Sequence, residues 1–179
     1  MKFILINMLM WYSCYCISQI YMPRGQRRYV NTPGISNFDL LHTYDSTMIN
    51  DYLDTTFRKD SVLNEMLDII NQSRASVNMY PLKLDTTACR LAQQHADFMC
   101  KNKIYMHSNY KLTENICMFR INIVFRPEYH NFKKNIIYAW LRSTPHARNL
   151  CSWVKKAGLG LSYYVNGPEI VGYAVFIGM

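Results

Sequence analysis

An α+β domain, with helices packed on an antiparallel sheet, is predicted for residues 61–179, and three observations predict it. "SVLNEMLDIINQSRASV" (61–77) carries Leu63, Met66, Leu67 and Ile70 at i, i+3, i+4 and i+7, the stripe of an amphipathic helix. "DTTACRLAQQHADFMCKN" (85–102) repeats that period with Ala88, Leu91, Ala92, His95, Ala96 and Met99. Near the C-terminus, "AGLGLSYYV" and "EIVGYAVFIG" are two β-rich runs, and the Asn166-Gly167 pair between them marks a hairpin turn. Helices and an antiparallel sheet in one small domain imply an α+β sandwich.

In the first helix, Ser61 is the expected N-cap, with Asn64 and Glu65 in the first turn. Asn71-Gln72-Ser73 matches a glycosylation sequon, but a helical interior argues against its use. "NMYPLKLD" is then an extended link. In the second helix, His95 on the apolar side is expected to be a hydrogen-bonded core residue. "ENICMFRINIVF" alternates as a strand does. "NFKKNIIYAWLRS" (131–143) puts Ile136, Ile137, Trp140 and Leu141 on one helical side. "STPHARNLCSWV" opens a short helix with Ser143 or Thr144 as cap and Pro145 in the first turn. Tyr163, Tyr164 and Tyr173 are expected to pack within the sheet.

The N-terminus is of a different kind. "MKFILINMLMWYSCYCIS" has a positive start, a short apolar run and small residues after it, the pattern of a secretory signal cleaved near Ser18. The run is too short for a stable membrane span. Residues 19–60 then form a partly ordered extension, in which His42 is expected at the surface. The chain carries 20 basic and 12 acidic residues, for a net +8, which reads first as a solvated basic surface, with attraction to an anionic surface or polymer as the alternative. Its basic residues are dispersed apart from "PRGQRR" (23–28), so no nucleic-acid stripe is present.

Export predicts oxidised cysteines. Cys89, Cys100, Cys117 and Cys151 follow the leader, and their even number suggests two disulfides. Cys89 and Cys100 lie about 16 Å apart along a helix. A disulfide requires Cα atoms within about 7 Å. Each must therefore pair with Cys117 or Cys151, or stay reduced. In an exported chain a disulfide at Cys117 is favoured over a catalytic thiolate there.

Four segments carry a family resemblance: "INQSRASVNMYPLKLDTTACRLAQQHADFM", "HSNYKLTENI", "AWLRSTPHARNL", and "GLGLSYY" with "GYAVFIG". In that order they resemble the CAP superfamily of cysteine-rich secretory proteins, antigen 5 and plant pathogenesis-related proteins. The short bacterial-type branch is the nearest in pattern, over about residues 62–177. The resemblance implies a three-layer α-β-α sandwich with a shallow cleft lined by histidines and acidic residues. By motif, His107 and His146 match the two histidines, Glu114 the glutamate of the Glu-Asn-Ile motif, and Ser143 the place of a second glutamate in many eukaryotic members. The sequence departs from the pattern at Thr113, where a glycine is usual, and at Thr144-Pro145, shifted by one.

The residues themselves support several chemistries. Imidazoles titrate near neutrality and bind metals, so His107, Glu114 and His146 are candidates for proton transfer, and His107 and His146 for holding a divalent cation such as zinc. Glu114 can also orient a histidine. The expected function is a secreted module whose cleft of His107, Glu114, Ser143 and His146 binds a small ligand or cation, or an extracellular surface or protein. A metal-dependent hydrolase using the same cleft is the first alternative, and lipid or sterol binding the second. Whether the domain is an enzyme stays open.

Overall fold

Each helix forms where the apolar period places it, and the buried stripes fix how the helices sit. A computed structural model describes Leu53 and residues 59–122 and 131–179. The order is α1 (Lys59–Ala75), β1 (Lys83–Leu84), α2 (Thr86–Asn102), β2 (Thr113–Asn122), α3 (Phe132–Arg142), α4 (Thr144–Leu150), β3 (Lys156–Asn166) and β4 (Glu169–Gly178). The expected leader (1–18), Cys14, Cys16, His42 and nearly all of the 19–60 extension lie outside the described residues.

Helix α1 starts at Lys59, so Ser61 is inside it rather than at its cap. The Ser61 hydroxyl instead donates to Glu65 Oε1 at 3.1 Å. Its buried line is Val62, Met66, Ile70 and Arg74, one residue every four. Asp85 caps α2, accepting from the Thr87 and Ala88 N–H groups. Asn71, the sequon residue, points inward: its amide donates to the Leu82 carbonyl and its Oδ1 accepts from the Leu82 N–H.

The four strands form one sheet in the order β1-β3-β4-β2. β3–β4 and β2–β4 are antiparallel, with Asn166↔Glu169 closing the hairpin. Its two loop residues are Gly167 and Pro168, one place later than the Asn-Gly pair suggests. Gly167 takes φ +58°, which favours glycine. The link "NMYPLKLD" contributes β1, which pairs parallel to β3 through Lys83↔Lys156 and Leu84↔Ala157. The sheet is therefore antiparallel except at that edge.

Alternation along β4 divides the core in two. Ile170, Ala174 and Phe176 join the cluster that holds Met66, Ile70, Ile136, Trp140 and Leu150. Val171, Tyr173, Val175 and Ile177 join Ala88, Ala92, Ala96 and Met99 of α2. Helices α1, α3 and α4 thus cover one face and α2 the other. The α2 side is a close approach: Gly158 and Gly160 of β3 lie directly beneath the backbone of Ala88 and Ala92.

The expected disulfides are not formed. None of Cys89, Cys100, Cys117 and Cys151 is in a disulfide. Cys100 packs with the α2-side cluster, whereas Cys117 and Cys151 pack with the cluster on the opposite face. The sheet lies between them, and a separation near the ~10 Å of packed layers exceeds the reach of a disulfide. Burial pushes the Cys117 thiol up to about 11. A thiol titration of unreduced, denatured protein beginning at residue 19 should therefore find four reactive groups; a count of zero or two would mean that the cysteines pair.

Candidate functional site

The segment between α2 and β2 turns a histidine back onto a carboxylate seven residues later. Helix α2 ends on Lys103 in the left-handed conformation (φ 53°), whose N–H reaches the Met99 and Cys100 carbonyls. The chain then runs to Glu114, the second residue of β2, which is held opposite Ile177 by the ladder. Glu114 is buried. His107 Nδ1–H donates to its Oε2 at 2.6 Å, and the Ser108 N–H donates to the same oxygen at 3.0 Å. Bonding to a carboxylate places the ring proton on Nδ1 and leaves Nε2 of His107 as the nitrogen not engaged by Glu114. The His107 side chain is 58% exposed against 5% for Glu114, so an open imidazole stands on a buried acid.

His146 comes from α4, and its ring centroid lies 6.5 Å from that of His107. Burial, and then the neighbouring His107, lower the pKa of His146 below the usual histidine value. Its position is fixed through the backbone. The Asn115 side chain donates to the His146 carbonyl at 3.0 Å. Asn149 donates to the Glu114 carbonyl and to Asn115 Oδ1, at 3.1 and 2.8 Å. These bonds tie α4 to β2.

Ser143 is joined differently. It precedes α4 at the N-cap position, its carbonyl accepts from the Ala147 N–H at 2.8 Å, and its side chain makes no capping bond. No hydrogen bond connects Ser143 to Glu114 or to either imidazole among the described residues. The structure thus brings His107, Glu114 and His146 together and leaves Ser143 in a backbone role.

Three further residues contribute, of which the sequence pointed to Asn115, as an amide tying this segment to backbone groups, but not to His95 or Asn149 as parts of the site. His95 is a hydrogen-bonded core residue, with Nε2–H donating to the Met106 carbonyl at 2.9 Å, but it also lies 3.9 Å from Glu114 Oε1. That oxygen is buried and has no hydrogen-bond partner. Asn115 and Asn149 complete the frame. Asn149 had a signal, since it follows His146 by three residues and so shares its helical face. His95 had only its polarity on an apolar stripe.

A closed zinc centre does not fit this arrangement. No group of three or more His, Cys, Asp or Glu side chains converges on one point among the described residues. What the donors offer is an open pair of imidazoles backed by Glu114. No described helix is long and apolar enough to cross a membrane.

A search of curated proteins finds no match. Among solved structures, MpPR-1i is similar at 18% identity, covering 67% of this chain and 87% of that one, with a TM-score of 0.47. An extracellular SCP-domain protein of Bacillus anthracis is also similar at 18% identity and a TM-score of 0.47, but this chain spans only 41% of it. An outer surface protein of Borrelia burgdorferi matches at 18% identity over 64% of this chain and 90% of its own, with a TM-score of 0.44. The family model for the cysteine-rich secretory protein family matches residues 67–177, more than half of the sequence. The chain belongs to this family, the CAP proteins.

Proposed function

We propose that the protein is a secreted binding module whose His107–Glu114–His146 cleft takes a small cation or cationic ligand. The observation that carries this reading is the 2.6 Å bond from an exposed imidazole to a buried carboxylate, next to a second imidazole. A carboxylate behind an imidazole fixes its tautomer and strengthens the outer nitrogen as a donor to a cation. His146, with its lowered pKa, is a neutral ring at neutral pH and presents a lone pair rather than a charge. Only two protein nitrogens face the ligand, so water or a partner completes its shell. The export pattern of the N-terminus and the secretory family support an extracellular setting.

The same dyad favours a second reading, hydrolysis with His107 as general base toward a water. Neither a serine nor a thiolate supports a nucleophile here: Ser143 is not bonded to the dyad, and the Cys117 thiol is pushed to about 11.

Zinc is the probe that tests the first reading. Added Zn²⁺ should raise the melting temperature, and the rise should vanish in His107→Ala and His146→Ala. Glu114→Gln should weaken the binding about 10- to 100-fold, as loss of a supporting carboxylate does. An unchanged melting temperature with Zn²⁺ in the wild-type protein removes the cation from this proposal.

A further inference from the structure

Away from the cleft, Arg74 draws two segments together at the β1 edge of the sheet. Its Nε donates to the Tyr80 carbonyl, and its Nη atoms donate to the carbonyls of Leu150, Ser152 and Val154. Between these segments lies a shallow pocket of about 270 Å³, lined by Arg74, Met79, Tyr80, Trp153, Val154 and Lys155. Tyr80 and Trp153 are 78% and 84% exposed, more than any other large apolar residue described. Neither belongs to a core cluster.

The surroundings are basic. Lys83, Lys155 and Lys156 are exposed, and Asp85 is the only acid in 79–85 and 150–156. Lys156 engages Asp85 at 3.1 Å, which leaves Lys83 and Lys155 uncompensated within those segments. The whole chain adds a net +8. The pocket lining is almost wholly apolar, which does not suit a sugar or another hydrogen-bonding ligand. Exposed Trp and Tyr beside lysines form the pattern of a water–lipid boundary: the rings sit at headgroup level and the ammonium groups meet negative charge.

We propose that this pocket docks the domain on an anionic lipid surface, with Tyr80 and Trp153 entering the headgroup layer and Lys83 and Lys155 facing acidic lipids. Attachment is peripheral and reversible, because two aromatic rings and two lysines give far less membrane affinity than a spanning helix. The cleft lies at β2, the opposite edge of the sheet from β1, so the lipid surface and the cleft ligand occupy separate places.

Vesicle flotation with protein beginning at residue 19 tests this, since all the described core lies C-terminal to that point. That protein holds two tryptophans, the buried Trp140 and the exposed Trp153, so an emission shift on binding reports Trp153. Vesicles of phosphatidylcholine with phosphatidylserine should bind and shift the emission to the blue, and added salt should weaken them. Lys155→Gln should cost about fivefold in affinity, the effect of one lysine near such a surface. Trp153→Ala and Tyr80→Ala should each cost at least as much, with melting temperatures unchanged. Equal binding to phosphatidylcholine alone, no binding to either vesicle, or variants that bind as the wild type does would overturn the proposal. So would a soluble polypeptide that shifts Trp153 emission where vesicles do not, which would make this surface a protein interface.

Discussion

Gly160→Ala should destabilise the domain by about 3 kcal/mol or more, at the upper end of what overpacking costs. A Cβ at this position would lie 2.3 Å from the Ala92 carbonyl carbon and 2.5 Å from the Gln93 nitrogen. Gly158 is tighter still, at 2.0 Å from the Ala88 carbonyl carbon. These neighbours are backbone atoms of α2, so no rotamer change relieves the clash and the helix must lift off the sheet. The Ala88, Ala92 and Ala96 stripe exists for the same approach, and Gln93 locks it by bonding both the N–H and the carbonyl of Leu161. The melting temperature should fall by about 10 °C or more in a thermal scan. Ala92→Gly should not rescue it, because the obstruction is main chain. A Gly160→Ala protein that melts within two or three degrees of wild type would show that α2 does not rest on β3 in this way.

Arg74→Met should cost about 3–5 kcal/mol, because it strips one shared donor group from several main-chain carbonyls at about 1–3 kcal/mol for each one left buried and unpaired. Arg74 is 1% exposed, and its four partners are all main-chain carbonyls, with no carboxylate among them. Methionine keeps an unbranched apolar stem but stops short of the guanidinium and leaves the carbonyls of Tyr80, Leu150, Ser152 and Val154 without that donor, and each buried acceptor so stranded costs about 1–3 kcal/mol. Burial lowers the guanidinium pKa, and the neighbouring Cys151 opposes that shift. Arg74→Lys should recover less than half of the loss, because one ammonium cannot reproduce a planar fork aimed at two separate segments. Urea denaturation measures both variants. A methionine variant within about 1 kcal/mol of wild type would mean that the 150–154 segment holds its path unaided.

The two glycines and the arginine show where sequence patterns run out. Period alone placed α2 and its apolar face, because a 3.6-residue repeat is a local property. It did not reveal that Gly158 and Gly160 mark a backbone contact, since a glycine in a strand reads equally as a bulge. Arg74 continues the Val62, Met66, Ile70 line by one more step, yet a charge at that step reads as the end of the buried stripe. Ser61 was misplaced because helix α1 begins two residues earlier, where the sequence offers no stronger cap. The disulfide expectation rested on parity and export, and neither knows on which face of a sheet a cysteine will stand.

By itself, the sequence determined the helices and the three long strands from Ser61 onward, the apolar side of the long helices, and a histidine seven residues ahead of a Glu-Asn pair that opens a strand. The tertiary structure alone decided that His107 bonds Glu114 while Ser143 serves only through its backbone, that His95 approaches the same carboxylate, that four cysteines stay apart, and that an arginine joins Tyr80 to the 150–154 segment. The physical reason is range. Apolar periodicity is set by neighbours within a turn or two, whereas the partner of a buried polar group is chosen by strand register and by which layer of the fold lies against it.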